Sequence, residues 1–358
     1  MVTDHDIARW RLASQHLSAP HQASAADVVR GLLAVQAENR NQAGWAVATR
    51  TVRPDAAELD RLLADGAVVR THVLRPTWHF VATEDIDWLL ELTVPRIRPV
   101  ILRQLTDLGW TAADLDRAAG VVLDTLAATP DRDRAELAAV LEGHGLTAGG
   151  QVTMLLLGLL ELDRLVCSGR ERGGTHTYAR YADRVPPARR LDRDEALAEV
   201  ARRYFTGHGP ATERDLAYWA SLTLTDVRRG LGAARDGLES FDHDGRTFWH
   251  APGGAPPTDA PQPAAHLLQL LDEMYRGYQD SRMVLDVAGI VPRGRETALG
   301  IALVDGQLLG STKRTVGRVV SFDVQPYRPF TAAEVAALEE AADRYGRFLG
   351  LEPVLTVR

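Results

Sequence analysis

Val68-Val69-Arg70-Thr71-His72-Val73-Leu74 leads through Arg75-Pro76 into Thr77-Trp78-His79-Phe80-Val81. Two runs rich in β-branched and aromatic residues around a proline turn read as a short β-hairpin. Upstream, Ile7, Trp10 and Leu17 recur on one helical face. Ser24 opens a second helix, with Asp27 three residues on as a weak capping box. That helix is expected to carry Val28, Val29, Leu32, Leu33 and Val35 and to end near Asn39. Downstream, Thr83 offers an N-cap for Glu84-Asp85-Ile86-Asp87-Trp88-Leu89-Leu90, with acids at the helix's positive end. Helices followed by a hairpin describe a winged helix.

The pattern returns twice. From Thr111, helices are expected over Ala135–Leu146 and Val152–Leu162, and Leu165–Ser168 and Thr175–Ala179 flank a turn-rich tip. From Asp194, Thr212 caps Glu213–Trp219, a further helix runs from Thr225 to Leu231, and Phe241–His250 turns back at Asp244-Gly245. A Pro- and Gly-rich stretch, Ala251–Pro263, reads as a linker. Beyond it, Val284–Asp286, Leu299–Val304, Gln307–Gly310 and Val319–Val324 read as strands, and Thr331–Leu349 as a helix closed by Gly350. The expected class is α+β and mainly helical. It comprises winged-helix modules at 1–110, 111–190 and 191–255 and a β-rich α+β domain at 264–358.

Composition is consistent with this. With 358 residues, 45% hydrophobic and 25% charged, the chain has material for several cores. A lone cysteine, Cys167, excludes a disulfide framework and a Cys-rich zinc cluster. No run of about eighteen apolar residues is present, and the N-terminus lacks a signal-peptide pattern, so a cytoplasmic protein without a membrane partner is expected. The net charge of −7 argues against a protein that coats nucleic acid by bulk electrostatics. Local basic clusters remain: seven arginines against two acids in Arg164–Arg190, then Arg96, Arg98 and Arg103, then Lys313, Arg314 and Arg318. Arginine forks suit phosphate, although a charge run is more often a solvated face.

Common hydrolase and kinase signatures are missing. His72 and His79 lie near each other across the first hairpin but lack a carboxylate motif for a metal, so no metal is expected. Gln36-Ala37-Glu38-Asn39 follows four apolar residues, Leu32–Val35. Spacing alone favours a helix end with Asn39 as its cap and Glu38 solvated. On a regular helix residues two apart do not share a face, so Gln36 and Glu38 converge only if the helix gives way there.

Three blocks carry a resemblance. They are Leu33–Glu38; Val69–Val81 with Asp85 and Trp88; and Leu271-Asp272-Glu273-Met274-Tyr275-Arg276-Gly277-Tyr278-Gln279-Asp280-Ser281-Arg282, followed by Val304-Asp305-Gly306 and Gly310–Arg314. In order and spacing the chain resembles the AlkZ-type winged-helix DNA glycosylases and their YcaQ relatives. The resemblance implies a C-shaped array of three winged helices plus a C-terminal β-rich part around duplex DNA. The family signature is glutamine, any residue, then glutamine (AlkZ branch) or aspartate (YcaQ branch). Gln36-Ala37-Glu38 matches neither strictly, its last residue being a carboxylate one methylene longer than aspartate.

That resemblance implies a monofunctional glycosylase acting on double-stranded DNA that contains alkylated purines, without metal or nucleotide cofactor, expected as a monomer. An N7-alkylguanine or N3-alkyladenine is cationic and leaves neutral, while the sugar acquires oxocarbenium character that a carboxylate stabilises. Glu38 is the expected carboxylate and Gln36 the water-orienting amide. Arg75, Thr77 and His79 are expected on the lesion side, Arg170 and Arg172 on the second wing against DNA, and Lys313 and Arg314 at phosphate. Asp272, Tyr278, Asp280 and Arg282 read as a buried polar network. Bulky natural-product adducts and self-resistance come from the family alone, and base flipping and groove approach stay open. The alternative is a noncatalytic winged-helix regulator in which Glu38 merely ends a helix.

Overall fold

A computed structural model describes residues 2–75, 77–147, 149–257, 263–269, 271–294 and 300–358. Pro76 of the first turn, residues 258–262 of the expected linker, and Leu299 at the start of an expected strand lie outside the described residues. The chain forms two compact units, Met1–Leu59 with Leu197–Arg358, and Asp60–Ala196.

The first unit is built on a five-stranded sheet. Its strands lie in the order Glu352–Val357, Val319–Pro326, Gln307–Val316, Gly300–Val304, Ala265–Leu268. All pairs are antiparallel except the first, which is parallel. A parallel pair needs a crossover, and the helix Ala332–Leu349 supplies it, opened by a Thr331/Glu334 capping box and closed by Gly350 in the left-handed conformation. Side chains alternate across the sheet. Leu267, Ala302, Val320, Phe322 and Val324 pack with Trp45, Leu338, Tyr345 and Phe348 on one face. On the other, Leu268, Ile301, Leu303 and Leu308 pack with Ile7, Leu12, Met274 and Leu285. Two of these strands, Ala265–Leu268 and Glu352–Val357, had no counterpart among the expected elements. The expected strand at Val284–Asp286 is instead a 3-10 turn, Arg282–Leu285. There Val284 and Leu285 are both buried.

The second unit holds the hairpin Val68–His72 with Trp78–Ala82, paired from Val68 opposite Ala82 to His72 opposite Trp78. The long helix Ile86–Asp107 follows. Its N-cap is Asp85, whereas Thr83 donates its hydroxyl to the Ala67 carbonyl. Three more helices, Ala112–Ala128, Arg134–Gly143 and Gly150–Leu162, accompany a sheet in the order Arg132–Asp133, Thr177–Arg180, Val166–Ser168.

One order of elements runs along the chain three times: helix, short extended segment, two helices, hairpin. It is complete in Ala112–Arg180. It recurs from Arg193–His208 through Glu213–Ala220 and Leu224–Ala234 to Glu239–His250, with the Ala211–Trp249 bridge in place of the short strand. It also runs from Ala25–Leu32 through Val35–Gln36, Arg40–Ala48 and Ala56–Asp65 to the first hairpin.

Candidate active site

The helix begun by Ser24, which accepts the Asp27 N–H, stops at Leu32. Leu33 adopts φ +67°, a left-handed value that halts a helix. Val35–Gln36 is extended, Glu38 sits in a bend, and Asn39 is the N-cap of the next helix, accepting the Gln42 N–H. The expected helix to Asn39, with Asn39 as its C-terminal cap, is therefore corrected. Leu32, Leu33, Ala34 and Val35 are all at most 1% exposed. Four consecutive buried residues would point around a helix rather than along one stripe, and an extended exit buries them all. Gln36 and Ala37 are buried and Glu38 is exposed.

Both backbone groups of Gln36 are held by side chains from far along the sequence. Its N–H donates to Glu273 Oε1 at 2.9 Å, and its carbonyl accepts from Gln269 Nε2 at 3.5 Å. Glu273 is fully buried; its Oε2 accepts from Trp219 Nε1 at 2.9 Å and lies 3.4 Å from His208 Nε2.

Around this point runs a polar network with almost no solvent contact. Arg50 grips both oxygens of Asp272 at 3.0 and 2.7 Å, and neither side chain is exposed. Arg50 also donates to Gln15, whose amide donates to Tyr278, whose hydroxyl donates to the His208 carbonyl. Arg11 stacks 3.7 Å over the Tyr278 ring and donates to the Ser281 carbonyl. Asp215 Oδ1 accepts three consecutive backbone N–H groups, from Gln279, Asp280 and Ser281. Asp272 and Tyr278 thus form the expected network. Asp280, accepting from Thr212, and Arg282, donating to the Tyr275 carbonyl, edge it as partly buried members.

On the strand Gln307–Val316, alternation sends Lys313 and Arg314 to opposite faces. Lys313 is exposed opposite Asp323, bordering a groove with Thr315, Ser321 and Arg358. Arg314 is half-buried, donates to the Tyr345 hydroxyl, and lines a cavity of 190 Å³ with Gln42, Trp45, Gln269 and Thr312. Burial lowers its pKa from the ordinary arginine value. The pleat thus turns the two cations to opposite faces of the strand, while Lys313 also borders the cavity that Arg314 lines.

In the second unit Arg75 and Thr77 are half-buried at the hairpin turn, whereas His79 is fully buried, with Nδ1 2.9 Å from the Thr77 carbonyl. His79 therefore shapes the turn, and the expectation of direct lesion contact narrows to Arg75 and Thr77. Arg170 and Arg172 are exposed between the strands Val166–Ser168 and Thr177–Arg180. They are not bare charges. Arg170 lies 4.0 Å from Asp131, and Arg172 bonds Glu136 with Asp133 at 3.9 Å. Arg164 meets Asp87 and Glu91, each at 3.9 Å, and Arg184 donates to the Leu63 and Ala64 carbonyls. The acid-poor stretch in sequence recovers acids in space. Burial pushes the Cys167 thiol up to about 12, so it is no nucleophile.

A family model described as "DNA glycosylase AlkZ-like" matches residues 29–348. The chain belongs to the AlkZ-like DNA glycosylase family. An interstrand DNA cross-link repair glycosylase of Streptomyces sahachiroi is 28% identical over 265 residues, 67% of each chain. The solved structure of Streptomyces sahachiroi DNA glycosylase AlkZ superposes with a TM-score of 0.80 at 23% identity, covering 100% of both chains; it shares the α+β fold. This AlkZ-like protein is thus a DNA-repair glycosylase whose partner is DNA. Among its described residues no helix is long and apolar enough to cross a membrane.

Sequence reasoning missed Glu273, Gln269, Arg50 and Asp215. Glu273 carried a signal: an acid set among Leu271, Met274 and Tyr275, where an unpartnered carboxylate is costly. Asp215 showed only its local role as the N3 acid of the Thr212 capping box, and Arg50 none, because the further partners lie 64 to 66 and 222 residues away.

Proposed function

We propose that this AlkZ-like glycosylase hydrolyses the N-glycosidic bond of alkylated purines, N7-alkylguanine above all, with Glu38 and Gln36 as its working pair. The observation that carries the reading is the Gln36–Glu38 segment itself. It leaves the helix, its backbone is held on both sides at Gln36, and it ends on an exposed carboxylate. A cationic purine needs no strong acid to depart. The sugar it leaves is electron-poor, and a carboxylate fixed beside it lowers the barrier without reorganising at the moment of reaction. The Gln36 amide, donor and acceptor at once, orients the water that takes the purine's place.

The reaction is proposed to stop at the abasic site. A lyase step through a side-chain amine requires a lysine, and the chain has one, Lys313, at an exposed strand position. If the reaction stops at the abasic site, borohydride traps no Lys313–DNA adduct; a trapped adduct would show a lyase.

The threefold recurrence of elements supports three winged-helix modules at 1–110, 111–190 and 191–255, followed by the 264–358 domain. Arg75, Thr77, Arg170, Arg172 and Lys313 are proposed DNA contacts, with Arg314 reaching phosphate from its cavity. The Streptomyces relative's name supports cross-linking adducts as substrates; bulky natural-product adducts and a role in self-resistance are carried over from the family resemblance. The test is incubation with duplexes carrying defined N7-alkylguanine adducts, followed by detection of the free base and alkaline cleavage. Wild type should release the base, and Glu38→Gln and Gln36→Ala should bind the duplex without releasing it. Undiminished release by either variant would refute its role.

A further inference from the structure

We infer that Glu273 is the positioning residue of the reaction: its buried carboxylate, bonded to the Gln36 N–H, holds the Gln36–Glu38 segment in its working geometry. The inference rests on the Gln36–Glu38 reading above and adds a residue 237 positions away.

A fully buried carboxylate is a costly choice for a residue that only fills space, because its desolvation must be met by donors. The Gln36 N–H donates to Oε1 and the Trp219 indole N–H to Oε2, both at 2.9 Å, with His208 Nε2 3.4 Å from Oε2. The carboxylate is itself anchored. It opens the short helix Glu273–Arg276, whose N-cap Asp272 accepts the Met274 N–H and is locked in the Arg50 fork. Its carbonyl is approached by Gln15 Nε2 at 3.4 Å. Gly277 completes the site by close approach, since a Cβ there would fall 2.5 Å from that carbonyl and 2.9 Å from the His208 ring.

The segment it holds has little regular structure of its own. Between the helix end at Leu32 and the helix start at Arg40 only Val35–Gln36 is a strand. Glu273 on its N–H and Gln269 on its carbonyl therefore help to place Gln36. Two bonds that locate one residue's backbone also locate the side chains that flank it, and reacting groups tolerate displacements well under 1 Å.

The test uses the full chain and single-turnover excision of N7-methylguanine from a duplex, with duplex affinity and Tm measured in parallel. Glu273→Gln keeps the shape but turns one acceptor into an NH2 group facing a donor. Its excision rate should fall at least about tenfold with affinity unchanged. Trp219→Phe removes the opposing donor, so the amide oxygen of the Glu273→Gln/Trp219→Phe protein is free to face the Gln36 N–H, and the rate should recover. A merely structural role predicts the reverse, because a second core change adds to the damage. Glu273→Asp, which withdraws both oxygens by one methylene, should lose rate in the same direction and serves if Glu273→Gln does not fold. A full rate in Glu273→Gln or Glu273→Asp, or a loss that Trp219→Phe does not recover, overturns the inference. The Glu38→Gln arm separates the two readings. If it excises at full rate, the catalytic pair falls, and the inference with it; if it is inactive while the Glu273 variants are not, only the inference falls.

Discussion

The surroundings of Gln36 and the tip of the second wing are both dense in charge, yet they are built in opposite ways. Near Gln36, the arginines and carboxylates are fully buried, each with several partners, as in Arg50–Asp272 and Asp215. At the wing, Arg170 and Arg172 are exposed beside acids of the same unit. The first arrangement is fixed, because removing one partner strands a buried charge. The second is exchangeable, because an exposed pair contributes only about 0–1 kcal/mol and phosphate oxygens can replace the carboxylate. The chain is thus tightly bonded around the proposed reacting residues and exchangeable at the proposed DNA contacts.

The largest effect that tests this contrast is on stability. Asp272→Ala leaves Arg50 buried without its carboxylate and should cost about 3–5 kcal/mol in chemical denaturation. An Arg50→Met/Asp272→Leu protein, which removes both charges, should lose far less. Equal losses would mean that the pair's packing, and not its charge, is what matters.

Next in size is the chemistry. Glu38→Gln should lower the single-turnover rate by roughly 100-fold, about 2.7 kcal/mol, with Tm unchanged because the side chain is exposed. A shift in Tm of several degrees would place Glu38 on the structural side of the comparison.

A partly buried pair within the first unit sharpens the contrast further. The Arg328 guanidinium, with help from the Thr331 N–H, holds Glu334 down at about 2, below its ordinary 4.5. A depressed carboxylate contributes stability that is present above its unfolded pKa and is lost as pH falls through the folded value. Arg328 is 40% exposed, so solvent screening reduces the contribution to about 1 kcal/mol. The Tm gap between wild type and Glu334→Gln should therefore be constant above pH 4.5 and close toward pH 2. A gap that persists at pH 2 would exclude the ion pair as its source.

The smallest effect lies at the wing. Arg172→Ala should weaken duplex binding about two- to threefold at any sequence and reduce the salt slope by about 1. Glu136→Gln, which releases Arg172 from its carboxylate, should tighten binding. Weaker binding in Glu136→Gln would show that the acid orients Arg172 toward DNA and does not compete for it.

Much of the fold was legible because its signals are local. Runs rich in β-branched residues gave the Val68–His72 and Trp78–Ala82 hairpin, and Thr212 and Thr331 marked helix starts that the structure places at those residues. The strands Ala265–Leu268 and Glu352–Val357 were not legible. The first is short, and the second is a sheet edge whose parallel partner stands across a whole helix. The helix end at Leu33 was misplaced because an unbroken apolar run has no period of its own.

The amino-acid order by itself determined the recurring helix-and-hairpin plan, the family, and the Gln36-Ala37-Glu38 motif, all of which depend on neighbours a few residues apart. Only the tertiary structure decided that Gln36 leaves its helix, that Lys313 is exposed while Arg314 is half-buried, and that Arg170 and Arg172 meet acids. It alone brought Glu273 to the motif. The reason is physical: a buried carboxylate is satisfied by whichever donors the folded chain delivers, and those donors can come from any distance along the sequence.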